Sequence, residues 1–168
     1  VMGPLPLSAA DMEGQPVTLE TSDGWSLSGV YQTPTEEHRT VILLHDLGKD
    51  KTAFTKFAAS LASAGYGYLA FDFRGHGQSI NQGEYASFAR EGLDNEFNKM
   101  PRDVEAAVSF LQKKGISLDN MVLLGAGLGA NVAAKSVTLT PDIGSLALIT
   151  PTTNTRDVLT IPAMRLYK

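Results

Sequence analysis

Three short stretches concentrate residues able to do chemistry. "HDLG", residues 45–48, supplies His45 and Asp46; "FDFRGHGQS", residues 71–79, supplies Asp72, Arg74, His76 and Ser79; "GAGLGA", residues 125–130, supplies three closely spaced glycines. Histidine, carboxylate and hydroxyl groups are the equipment of acid–base and nucleophilic catalysis. The glycines admit two chemistries. Gly125-Ala126-Gly127-Leu128-Gly129-Ala130 fits the G-x-G-x-x-G/A turn that cradles a dinucleotide pyrophosphate. The same residues fit the strand-to-helix turn G-x-S-x-G that lifts a serine nucleophile, with Gly127 standing where the serine would be.

Such stretches need a frame to bring them together. With 168 residues, 43% of them hydrophobic, the chain can bury one sizeable core and reads as one domain over residues 1–168. "VMGPLPLSAADMEG" lacks a basic start and a long apolar run, so residues 1–15 read as an N-terminal extension, neither signal peptide nor membrane span. "PVTLET" and "LSGVYQT" flank the turn signal Asp23-Gly24 and predict an antiparallel hairpin. "TVILLHD", "YGYLAFDF", "NMVLLGAG" and "SLALITP" are continuous apolar runs, expected for parallel strands covered on both faces.

Helical patterns lie between these runs. In residues 51–64, Phe54, Phe57, Ala58, Leu61 and Ala62 form an apolar stripe that Gly65 ends. In residues 101–114, Val104, Ala107, Val108 and Leu111 repeat it, with Pro101 at the start and Gly115 at the end. Residues 75–100 read as a long loop or lid, and "DVLTIPAMRLYK" as a loop and short helix. The order predicts an α/β fold: a mostly parallel sheet with flanking helices and an N-terminal antiparallel hairpin. Ligands bind such sheets at the carboxyl ends of the strands, where all three chemical stretches fall.

"VILLHDLGKDKTAFTKFAASLASAGYGYLAFDFRGHGQS", "DVEAAVSFLQKKG" and "MVLLGAGLGANVAA" resemble, in that order, the N-terminal two-thirds of an α/β-hydrolase-fold protein of the serine esterase and lipase-like group. The resemblance covers residues 17–150 and implies an incomplete α/β-hydrolase fold lacking the last strands. Its implied activity is hydrolysis of a carboxylic ester or similar acyl bond. Gly127 then occupies the nucleophile position, where a glycine suits the strained backbone but brings no oxygen. The implied oxyanion-hole donors are the backbone N–H groups of Leu47 and Leu128.

Asp46 replaces the glycine usual after that histidine. Its carboxylate either turns into the hole, opposing developing negative charge, or points to solvent. His45 reads as a buried histidine tying down the loop rather than as a catalyst. The resemblance makes "FDFRGHGQS" mainly structural, with an Asp–Arg pair bracing the loop; Ser79 reads as a turn residue and His76 as no catalyst.

The triad order of this fold is Ser, then Asp or Glu, then His. No histidine follows His76, so Asp142 and Asp157 have no downstream imidazole to orient. The chain is therefore expected to be inactive as an esterase. A natural pseudo-hydrolase holding a small acyl or ester ligand, or a protein partner, is the alternative. Dinucleotide binding is the remote one, since the strand after "GAGLGA" ends in Thr150 and Pro151 rather than in the acid that binds ribose.

Stopping after "SLALIT" would leave an apolar strand at the sheet edge. Self-association, a swapped element or docking of the C-terminal segment is expected to cover it. With net charge −4 and scattered basic residues, no nucleic-acid partner is expected. There is no cysteine, metal-site spacing or Walker loop, so neither a metal nor a cofactor is implied. Lack of cysteine suits cytoplasm and export equally and leaves the compartment open.

Overall fold

The computed structural model describes residues 12–35 and 38–165. Strands β1 (Gln15–Glu20) and β2 (Ser26–Gln32) form the N-terminal hairpin, with Leu19 opposite Leu27. Beyond the hairpin, β2 also pairs antiparallel with β4 (Gly67–Phe71). From there the sheet is parallel: β4 on β3 (Thr40–Leu44), β3 on β5 (Met121–Ala126), and β5 on β6 (Ser145–Ile149). The full order is β1-β2-β4-β3-β5-β6. These are the runs expected as strands, and they build the mostly parallel sheet with an N-terminal antiparallel hairpin that the sequence predicts. Of the expected N-terminal extension, residues 1–11 lie outside the described residues; Met12 is buried against Val30 and Tyr68.

Pleating divides the apolar residues between two faces. Ile42, Leu44, Leu69, Phe71 and Leu123 point to one side, where α3 (Pro101–Lys113) and α4 (Leu128–Ser136) supply Val104, Leu111 and Val132. Val41, Leu43, Tyr68 and Ala70 point to the other, against Ala58 of α1 (Thr55–Ser63) and Phe54 at its N-terminus. The first turn expected in that helix, Lys51–Phe54, is a 3₁₀ turn capped by Asp50, whose carboxylate accepts from Thr52 N at 2.8 Å. Phe57, expected on the apolar stripe, sits at its rim and is 42% exposed.

Three further expectations are corrected. β6 is half-exposed because it is the last strand, with β5 on one side only. Residues 75–100 are not all solvated. Phe88 packs edge-on against Trp25 and Phe97, and the short helix α2 (Glu96–Lys99) is capped by Asn95, so buried residues interrupt the exposed ones and the longest exposed run is 89–94.

Among the described residues, the C-terminal segment does not dock on the edge of β6. Strands β7 (Asn154–Thr155) and β8 (Val158–Leu159) pair with each other, and with the short helix α5 (Ile161–Met164) they pack on α4. Their turn places Arg156 and Asp157 both in the left-handed region, at φ 55° and 62°. Two-residue hairpin turns demand this, but Arg-Asp is not the usual Asn-Gly signal. Asn154 supports the turn by accepting from Asp157 N at 2.8 Å.

Candidate active site

β5 runs directly into α4 through Gly127, whose backbone lies at φ 53°, ψ −119°. Gly127 N donates to Ile149 O on β6, and Gly127 O accepts from Ala130 and Asn131 in the first helical turn. The helix then sits hard against the end of β3: a Cβ on Gly129 would lie 2.1 Å from Leu44 O and 2.6 Å from His45 O. Only a residue without a side chain allows that approach. It brings "HDLG" and "GAGLGA" to one point above the sheet.

At that point the Asp46 carboxylate occupies the space beside Gly127. Asp46 Oδ1 accepts from Leu47 N at 2.7 Å and from Leu128 N at 2.8 Å. The two N–H groups expected to serve as oxyanion donors therefore do converge, and they converge on this chain's own anion. Of the two orientations open to Asp46, the structure shows the one turned onto the N–H groups of Leu47 and Leu128. A Cβ on Gly127 would meet Asp46 Oδ1, Cγ and Oδ2 at 2.0, 2.2 and 2.5 Å. A side chain at 127 and the carboxylate in its present seat exclude each other.

His45 lies beneath this loop, 1% exposed. Nε2 accepts from Phe73 N at 3.0 Å, which makes Nδ1 the protonated nitrogen, and Nδ1–H donates to Asp46 O at 2.8 Å. Burial holds its pKa down to about 4, so the ring is neutral at pH 7 with both nitrogens engaged. His76 stacks on Tyr85 at 4.3 Å and donates from Nδ1 to Arg74 O at 3.0 Å; burial lowers its pKa as well. The two imidazole rings are 5.1 Å apart, and neither hydrogen-bonds the Asp46 carboxylate.

The remaining candidates lie in two buried ionic clusters. The structure does not pair Asp72 with Arg74. Asp72 accepts from Lys51 N and Nζ at 2.8 and 2.7 Å and from Gln78 N at 2.9 Å. Ser79 Oγ donates to Asp72 O and accepts from Ser28 N, so its hydroxyl joins this loop to β2.

Arg74, fully buried, instead forms three bonds with Asp103: backbone N to Oδ2, and Nε and Nη2 to Oδ1. Its Nη1 reaches Asp23 and Glu96. Complete burial pushes the Asp103 carboxyl up to about 6, even against the pull of Arg74. Asp103 was not among the sequence candidates. One signal could have found it: it shares a helix face with Ala107 and Leu111, an acid on an apolar stripe. Asp142 is exposed, and Asp157 is spent on Gly92 N and Asn154. Among the described residues no group of three His, Asp or Glu side chains is placed to hold a metal, and no helix is long and apolar enough to cross a membrane.

A family model described as serine aminopeptidase, S33, matches residues 35–168. Among solved structures, the chain is similar to the Pyrococcus furiosus esterase Pf2001, with 25% identity, TM-score 0.68, and coverage of 90% of this chain and 56% of that one. An esterase from Exiguobacterium antarcticum shares 19% identity at TM-score 0.64, covering 82% and 46%. The α/β hydrolase GrgF from Penicillium sp. sh18 shares 19% identity at TM-score 0.69, covering 82% and 45%. The chain thus spans about half the length of these solved relatives. No curated protein sequence matches.

Proposed function

This chain belongs to the serine aminopeptidase S33 family of α/β hydrolases, and from that membership we propose that it is a non-hydrolysing member whose acyl-transfer site is filled by its own carboxylate. The observation that carries this reading is the seat of Asp46 on the N–H groups of Leu47 and Leu128. Ester hydrolysis on this fold needs a side-chain oxygen to attack, a base to take its proton, and two free donors for the oxyanion. Gly127 has no oxygen. His45 has no free ring nitrogen. The donor pair already holds a negative charge that a tetrahedral intermediate would have to displace.

Such a protein acts by binding rather than by turnover, with small acyl or ester compounds, or a protein partner, as the ligand classes its ancestry suggests. The same geometry weighs against a dinucleotide at "GAGLGA", because the Leu128 N–H that would face a pyrophosphate is held by Asp46. A second reading rests on the half-exposed outer edge of β6: a strand from another chain pairs there. Light scattering tests it, and a strictly monomeric protein at high concentration rejects it.

Turnover of p-nitrophenyl acetate and butyrate at the buffer rate, with no labelling by a fluorophosphonate probe, is the expected result for the main reading. Stoichiometric labelling of any serine would overturn it.

A further inference from the structure

A cleft lies at the C-terminal end of α4, the end away from Leu128 and Asp46. Its volume is about 250 Å³, and its walls come from Leu93, Leu159, Pro162 and Ala163. Leu93 and Leu159 are 77% and 38% exposed, so apolar side chains are held at the surface around it. The C-terminal hairpin closes one side, pinned in place by Asn95 Nδ2 donating to Arg156 O at 2.9 Å and by Gly92 N donating to Asp157 Oδ2 at 2.7 Å.

Set in this apolar lining is Lys135. Its ammonium donates to Asn98 Oδ1 at 2.7 Å and Asn98 O at 3.2 Å, which leaves one of its three N–H groups. Asn98 is itself fixed: its backbone N donates to Asn95 Oδ1 at 2.8 Å and its amide to Arg156 O at 3.4 Å. Lys51, Arg74, Lys99 and Arg102 each pair with a carboxylate, but among the described residues none lies within ion-pair distance of Lys135. Burial lowers the pKa of this amine, so a counter-ion would relieve a standing cost. Asp157, the other charged group lining the cleft, has its oxygens engaged by Gly92 and Asn154.

We propose that this cleft binds an amphiphilic monocarboxylate, an unbranched acyl chain of medium length whose carboxylate pairs with Lys135 while the chain lies along Leu93, Leu159 and Ala163. The volume falls just below the roughly 300–1,000 Å³ of drug-sized ligand sites, which suits one short chain. Lys135 lies seven residues along α4 from Leu128, about 10 Å at the helical rise. The site is therefore separate from the Asp46 seat and stands whether or not that seat is catalytically silent.

Calorimetric titration of the whole protein with butanoate, hexanoate and octanoate tests the assignment, with octan-1-ol and octylammonium as controls. Affinity should tighten about fourfold per added methylene while room lasts. Octanoate should bind at least about tenfold tighter than octan-1-ol, as a hydrogen bond to a charged group implies. Lys135→Met should erase that preference while octan-1-ol still binds, and Leu159→Trp should block both ligands. Since Lys135→Met also removes donors from Asn98, the comparison of ligands on the unaltered protein carries the test without it. No saturable octanoate binding, equal affinity for octanoate and octan-1-ol, or preference for octylammonium would each overturn the proposal.

Discussion

The exclusion between Asp46 and a side chain at 127 can be measured as a coupling energy. Gly127→Ser places a Cβ on backbone at φ 53°, ψ −119°, which costs about 1–3 kcal/mol. It also drives the Asp46 carboxylate from its seat, since the added carbon would lie 2.0–2.5 Å from three of its atoms. Two hydrogen bonds to a charged group are then lost. Asp46 is exposed, so they are worth about 0.5–1 kcal/mol each. The single substitution should therefore cost about 2–5 kcal/mol. Asp46→Gly forfeits the same two bonds, about 1–2 kcal/mol.

In the double variant that loss is counted once, so the two costs should fall short of additivity by about 1–2 kcal/mol. Urea unfolding followed through Trp25, the chain's only tryptophan and 3% exposed, gives all four stabilities. Additivity within about 0.5 kcal/mol would refute the shared seat. Neither serine variant should hydrolyse p-nitrophenyl esters above background, because both nitrogens of His45 remain engaged and His76 is buried, stacked on Tyr85.

Three further outcomes follow from the geometry. In a ¹⁵N imidazole titration His45 should stay neutral, Nδ1-protonated, down to about pH 4, and its folded-state pKa lies below the unfolded value of 6.5. Its contribution to stability, up to about 3 kcal/mol, is accordingly present above pH 6.5 and lost as pH falls toward 4; a midpoint near 6.5 in the native protein would contradict this. Arg74→Met strands Asp103 without its countercharge and should cost about 3–5 kcal/mol in urea, with a loss below about 1 kcal/mol ruling out the buried cluster as described. Gly129→Ala should destabilise more than Gly127→Ala, because its Cβ meets the Leu44 carbonyl rather than a movable side chain; the reverse ranking would show that α4 does not sit where described.

What could be read from sequence follows the range of the interactions. The strands were legible because "TVILL", "GYLAF" and "MVLLGA" are apolar enough to be buried whatever their neighbours. Gly127 was legible because a strand, a sharp turn and a helix start are local events. The seat of Asp46 was not: its orientation is chosen by Leu128 N, 82 positions along the chain. Arg74 was visible as a bracing residue, yet its principal partner is Asp103 on α3, whereas the nearby Asp72 takes Lys51. The C-terminal hairpin escaped because its turn is held by Asn154 and by docking to Asn95, neither of which alters the local hydropathy pattern.

The bond from Leu128 N to Asp46 also sets a time. Asp46 follows β3 and Leu128 follows β5, so the bond forms only once those two strands lie side by side and α4 has settled on them. Contacts between positions so far apart require loop closure before they return any stability. Loss of this bond should therefore quicken unfolding and leave the refolding rate nearly untouched. The seat of Asp46 is thus a seam between the ends of two neighbouring strands, and its loss is expected to show in the rate at which the native state opens rather than in the rate at which it forms.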